Sequence, residues 1–346
     1  MESCNRTQST DRLWPYLLAA VFGTFLLAFV SGAAWTGETG AAFTAIFAIH
    51  LRCAATALLL LIVPSVWARL AHRISPWALF GLTVFAFACG WIVRGDAGSA
   101  LYTTILIAVP GVALFGLQKL RLSNFRTVIY ESFAILAALY AFVCLKDRIV
   151  SGDAYLGFKR LIALYAQMLN GIDFSLLGTN GELLSRTISE MIGLIRAYPE
   201  TVLVPMLLIA AMTAGLTNTL FSHLFNRNGG VELAPLPRFE LWRCERWYVV
   251  LCAVFLLVTL ILGMSGVQAG DALSGVAGVL WRMPCLLAGL CTVRFLALQT
   301  GKKWIFWIAV AGLILLPTAG WMVLALIGAL SALRKPMNVG EDGIRK

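Results

Sequence analysis

Charge is what this sequence has least of. Only 13% of its 346 residues are Asp, Glu, Lys or Arg, where a soluble domain carries about a quarter. Histidine is scarcer still: His50, His72 and His223 stand far apart. Neither H-E-x-x-H nor G-x-S-x-G occurs, and "QTGKKW" lacks the leading glycine and the spacing of a phosphate-binding loop. No acidic pair lies inside an apolar run. The eight cysteines include no C-x-x-C pair and form no Cys/His set with zinc spacing. These gaps exclude the usual signatures of metal, nucleophilic and phosphate chemistry. The sequence therefore predicts no catalytic residue, no metal, no cofactor and a protein that is not an enzyme. Most of the cysteines fall in apolar runs and read as small buried hydrophobes rather than a disulfide framework.

What the sequence has in abundance is apolar surface. Hydrophobic residues make up 60% of it, and long uncharged runs recur from Leu13 to Leu333. The fold class predicted is all-α, a polytopic transmembrane helical bundle of about 8–10 spans, since roughly 20 apolar residues cross the hydrocarbon core. The runs are 13–34, 41–63, 76–93, 98–117, 127–145, 201–225, 247–266, 272–299 and a longer block, 304–333. The first run resembles a signal peptide in its flanks but exceeds the usual core of roughly 7–15 residues, so it reads as a retained span. The partner implied throughout is the lipid bilayer. The formal net charge of +10 reads as the basic excess of cytoplasmic loops, not as a nucleic-acid footprint.

Orientation follows the basic residues. Arg6 and Arg12, Arg69 and Arg73, Lys119, Arg121 and Arg126, then Arg227, Arg238, Arg243 and Arg246, and Lys302 with Lys303, mark one side. The alternating segments are poorer in them. A cytoplasmic N-terminus is predicted, in a bacterial cytoplasmic (inner) membrane.

The expected layout is a single membrane domain with a first half over 1–145, external amphipathic helices over 146–200, a second half over 201–333 and a tail over 334–346. The external segment holds six basic and six acidic residues. Its stretch "GELLSRTISEMIGLIR" places Glu182, Ser185, Arg186, Ser189 and Glu190 on one helical face and Leu184, Ile188, Met191 and Ile195 on the other. "YLGFKRLIALYAQML" is a second, weaker amphipathic helix. These lie along the membrane surface or fold over the bundle mouth. The block 304–333 is either one pass or two short ones turning at "PTAG"; the basic tail favours two.

Charges inside spans are costly and mark structural ties or sites. His50 and Arg52 fall near the middle of 41–63, Arg282 about ten residues into 272–299, Glu131 one turn into 127–145 and Arg294 near the inner end of its span. Two readings stay open. They tie helices together, or Arg52 and Arg282 face an anionic ligand in a midplane cavity. The row Gly270, Ser274, Gly278 would hold Arg282 toward the bundle through close packing. Thr213, Thr217 and Asn218 give 201–225 a polar face that either bonds neighbouring helices or lines a pocket.

The stretch "LPRFELWRCERW" interrupts the apolar runs. Pro235 and Pro237 forbid a continuous helix. Phe239, Trp242 and Trp247 are amphipathic aromatics, Arg243 and its basic neighbours suit lipid phosphates, and Glu240 can pair with Arg243. It reads as an interfacial elbow in the headgroup layer. Here the chain resembles the YybS-like family of bacterial membrane proteins (domain of unknown function 2232), which carries a Pro-rich, Phe-x-x-Trp-Arg segment before a basic, aromatic return to the membrane. Asn218 and the ending "IGALSALRKP" are similar to further family features, and a family Gln-Gly pair stands here as Ala288-Gly289. The resemblance implies a first half like the substrate-binding membrane subunits of energy-coupling-factor transporters, which rely on separate ATPases.

The function expected is a transporter-like, small-molecule-binding membrane subunit without its own ATPase. Its ligand candidates are His50, Arg52, Asn218 and Arg282, its ligand a small anion, and its partners a separate ATPase or other membrane subunits. The alternative is a membrane scaffold or assembly factor acting through its cytoplasmic loops.

Overall fold

The computed structural model describes residues 14–32, 42–170, 179–226, 233, 235–266 and 268–334. Among these the chain is helical with no strand. Six helical stretches are long and apolar enough to cross a membrane: Ile49–Arg73, Ala97–Lys119, Asn124–Ser151, Glu200–Phe225, Arg246–Met264 and Gly270–Gln299. Shorter apolar helices cover Trp14–Val30, Trp77–Val93, Trp304–Leu315 and Thr318–Leu333. A polytopic membrane bundle is thus what the chain forms, and its apolar outer surface meets lipid.

The chain divides into two units at Pro235 and Leu236. The first begins with α1 (Trp14–Gly32), α2 (Ala42–Leu60) and α3 (Val63–Arg73). The sequence predicts a basic loop over 64–75. Instead α3 is a helix whose residues Val63–Ala71 are all buried, Arg69 included. The guanidinium of Arg69 covers the Tyr16 ring of α1 at 5.4 Å. Trp67, with no exposed surface, donates its indole N–H to Thr24 Oγ1 at 3.0 Å.

Next come α4 (Trp77–Arg94), α5 (Ala97–Lys119) and α6 (Asn124–Tyr140). Their ends are written locally. Gly95 stops α4 in the left-handed region, at φ 76°. Asp96 caps α5 by accepting the Ser99 N–H, and Ser123 caps α6 by accepting the Arg126 N–H. α5 packs against α3, α4 and α6. A methyl group added at Gly111 of α5 would sit 3.1 Å from the Trp67 ring, so a larger residue there would press on α3.

Beyond α6 the helix widens into a π turn, Ala141–Leu145, before α7 (Lys146–Ser151). The predicted amphipathic helices follow as α8 (Leu156–Asn170) and α9 (Thr179–Ala197). Leu184 and Met191 on the apolar face of α9 are exposed, while Ile195 packs with Phe158 and Leu203. α10 (Glu200–Asn226) closes the unit against α3 and α6. That packing is why the chain divides at the elbow and not within 146–200.

The second unit opens with a 3₁₀ turn, Phe239–Leu241, inside the elbow. It continues through α11 (Arg246–Met264), α12 (Gln268–Gln299), α13 (Trp304–Leu315) and α14 (Pro317–Leu333). The block 304–333 is therefore two helices. Leu316 turns the chain at φ −126° and ψ 66°, and Pro317 starts α14 where a missing N–H costs nothing. α13 and α14 fold back closely: a methyl at Gly320 would meet the Gly312 carbonyl at 2.6 Å. The most extensive packing joins α12 and α14. There Gly289 rests on the backbone of Leu324, and Gly328 on the backbone of Cys285, too close for any side chain.

Candidate functional site

A cavity of about 480 Å³ lies within the first unit. Three helices supply most of its wall, each contributing residues three or four apart, and Val30 of α1 and Leu106 of α5 add to it. α2 supplies Ile49, Cys53, Thr56, Ala57 and Leu60. α6 and the π turn supply Ile135, Leu139, Phe142 and Val143, and α10 supplies Leu203, Leu207, Ala210, Thr213 and Ala214. That spacing is one face of each helix. A π turn adds a residue to one turn, which re-aims side chains and often marks a functional wall; here it carries Phe142 and Val143.

The lining is largely apolar, with the hydroxyls of Thr56 and Thr213 along it and charge at one end, where Lys146 and Asp147 lie. Asp147 accepts the Gly157 N–H at 2.8 Å, which ties α7 to α8. The Lys146 ammonium lies 5.7 Å from the centre of the Phe142 ring. The opposite end is bounded by Leu61, Ile135 and Ala214. An apolar body with one charged end suits an amphiphile, held by dispersion along the helices and by polar contacts at its head.

Below that closed end the helix α2–α3 is broken. Pro64 has no N–H to offer the Leu60 carbonyl four residues earlier. Asn218 of α10, with no exposed surface, donates its amide to that carbonyl at 3.1 Å. Ser65 Oγ donates to the Ile62 carbonyl at 2.7 Å. The break is thus stitched by side chains, as backbone at membrane depth demands.

The structure places the predicted residues as follows. Asn218 holds the break and lies one turn from Ala214 of the cavity. Thr213 lines the cavity. Its hydroxyl donates to Ile209 of its own helix, as Thr217 does to Thr213, so of the polar face only Asn218 reaches another helix. His50 is exposed on α2. Its Nδ1 donates to the Ile46 carbonyl at 2.8 Å, so Nε2 accepts from the Tyr165 hydroxyl of α8 at 2.6 Å. A ligand at His50 would have to displace Tyr165. Arg52 stands on α2 next to Cys53, and its side chain lies outside the described residues. Arg282 belongs to the second unit and is exposed on α12, whereas the cavity is built wholly by the first. The close packing expected along Gly270, Ser274 and Gly278 occurs at Gly270, against Gly263; a methyl at Gly278 would meet open space. That row therefore does not turn Arg282 inward.

Sequence reasoning passed over Lys146, Cys53 and the role of Pro64. Pro64 at the end of an apolar run was the available signal. Lys146 was hidden because it ends one span and begins a segment read as external.

The elbow is built, not loose. The Trp242 indole donates to the Pro237 carbonyl at 3.0 Å, and the Trp247 indole donates to the Glu245 carboxylate. Cys244 is buried. Phe239 and Trp247 stay exposed, as suits a headgroup layer. Among the described residues no ion pair joins Glu240 to Arg243; the two-proline turn holds the shape without it.

Residues 41–330 match the family described as "Predicted membrane protein (DUF2232)". The chain belongs to that family. The match runs from the start of α2 to within α14, so it takes in the cavity, the broken helix and the elbow. No curated protein and no solved structure matches the chain. Membership in the DUF2232 family thus identifies a membrane protein and leaves its activity to be read from the site.

Proposed function

We propose that the first unit is the small-molecule-binding part of a transporter-like membrane subunit, one that takes an amphiphilic anion and performs no reaction of its own. The observation that carries this reading is the cavity. Its volume of about 480 Å³ falls in the range of roughly 300–1,000 Å³ common to ligand sites. Its apolar walls suit an apolar body, and the end where Lys146 and Asp147 lie suits a charged head. Energy for transport would come from a separate ATPase subunit, because the sequence carries no phosphate-binding loop. The orientation proposed, in a bacterial inner membrane, has the N-terminus in the cytoplasm.

The test is to extract purified protein and identify released small molecules by mass spectrometry. Wild-type protein is expected to release an anionic small molecule that Ala210→Trp and Lys146→Ala both lose. Release of nothing but bulk membrane lipid from all three proteins would contradict the proposal.

A further inference from the structure

Glu131 lies in the middle of α6 with no exposed surface, and neither of its carboxylate oxygens has a hydrogen-bond partner. The helices packed on α6 are α5 and α10. Their charged and titratable groups are Tyr102 and Lys119 on α5, and Glu200 and His223 on α10. None of these bonds to the carboxyl. His223 is spent on Asn124 Oδ1 at 2.7 Å. In the next layer, on α3, Arg69 covers Tyr16 and His72 bonds Gln118 at 3.0 Å. The tie between Glu131 and an arginine that would explain this residue structurally is not made. An ionised carboxylate left alone at this depth costs several kcal/mol, and the neutral acid avoids that cost.

A polar column leads to the carboxyl from one end only. Thr127 stands one turn before Glu131 on α6. Asn218 and Ser222 stand one turn apart on α10, which lies close against α6 at Gly215, beside Ser132 and the Val128 carbonyl. The Asn218 Oδ1 and Ser222 Oγ atoms are also buried without partners. At the foot of the column a small cavity of about 20 Å³ is lined by Thr127, Ser222, Thr219, His223, Gln118 and Asn124, and also by the cation Arg121 and by Leu122 and Leu233. A cavity above roughly 10–15 Å³ with several polar partners has room for one water. In the other direction the next turns are Ile135 and Ala214, the apolar floor of the large cavity.

We propose that Glu131 is a proton-binding site that exchanges with the solvent at the α5–α6 turn through the Thr127–Ser222 column. A hydronium ion at the small cavity gives up its proton, which passes by way of the hydroxyls to a Glu131 carboxylate oxygen. Carboxylate and hydronium become carboxylic acid and water, and release reverses the step. This goes beyond the binding function proposed above. It requires no ligand in the large cavity, so the two can fail separately.

The test is infrared difference spectroscopy of the full chain in lipid nanodiscs, with no ligand added. At neutral pH the wild type is expected to show the carbonyl stretch of a protonated carboxylic acid, shifted when the sample is moved into D₂O. Glu131→Gln should lose that band. Thr127→Val combined with Ser222→Ala should keep the band but slow its deuterium shift roughly tenfold. Should Glu131→Gln fail to fold, Glu131→Asp is expected to move the band. No band in the wild type, a band that never exchanges, a band unchanged by either Glu131 variant, or an exchange rate indifferent to the hydroxyl pair would overturn the proposal.

Discussion

Asn218 donates its side-chain amide to the Leu60 carbonyl at 3.1 Å, and Leu60 is the residue that Pro64 deprives of a helical partner. Two residues 158 positions apart therefore answer a defect made by a third. Asn218→Ala should leave the carbonyl unanswered and cost on the order of 1 kcal/mol of stability. Pro64→Ala restores an N–H at position 64. In that background the loss of Asn218 should cost measurably less. A double-mutant cycle on unfolding midpoints reads the coupling directly, and strictly additive effects would show that Asn218 does not serve the break.

Glycines on α12 separate a packed face from an open one. Gly289→Ala must push on the Leu324 backbone, and the expected loss is about 1–3 kcal/mol. Gly278 faces open space, so Gly278→Ala should be neutral or stabilise the helix by up to about 1 kcal/mol. Thermal unfolding in detergent distinguishes them. Equal effects from the two would contradict the packing of α12 on α14.

The turn before α8 carries a pH dependence. Asp153 accepts the Lys159 ammonium at 2.7 Å and the Tyr155 N–H at 3.0 Å, and these bonds hold its carboxyl below the ordinary range. A group depressed on folding stabilises above its unfolded pKa and loses that contribution as pH falls through the folded one. Asp153→Asn should therefore lower the unfolding midpoint slightly at neutral pH, the effect being small because the pair is more than a third exposed. The difference from wild type should shrink as the pH falls below about 4. A gap that widens in acid would contradict this assignment.

Much of the helical layout was legible in the sequence, because lipid imposes a length and a composition on each span. The run 76–93 corresponds to Trp77–Arg94, and 201–225 to Glu200–Asn226. The turn at "PTAG" was also legible as a choice, since proline cannot continue the helix it ends. Other features were not. Arg69 looked like a loop charge, because a single buried cation followed by Arg73 reads as a basic segment until Tyr16 and Trp67 are seen around it. Glu131 and Asn218 were visible as polar residues within spans, but their nearness depends on how α6 and α10 pack, which a local pattern does not encode. The cavity is the extreme case. Its walls are ordinary Leu, Ile, Ala and Thr positions, and only the joint placement of three helices leaves space between them.

Cys53 offers the most direct measurement of that space. Of the described cysteines, Cys53 alone is exposed, and it lines the cavity; Cys89, Cys144, Cys244, Cys252, Cys285 and Cys291 are buried. Native protein should be alkylated at Cys53 by a small membrane-permeant maleimide well before the other six, and Ala210→Trp, which fills the cavity, should suppress that labelling. Labelling of Cys53 at the same rate in wild type and Ala210→Trp, or no labelling of Cys53 until the protein unfolds, would contradict a ligand-sized cavity between α2, α6 and α10.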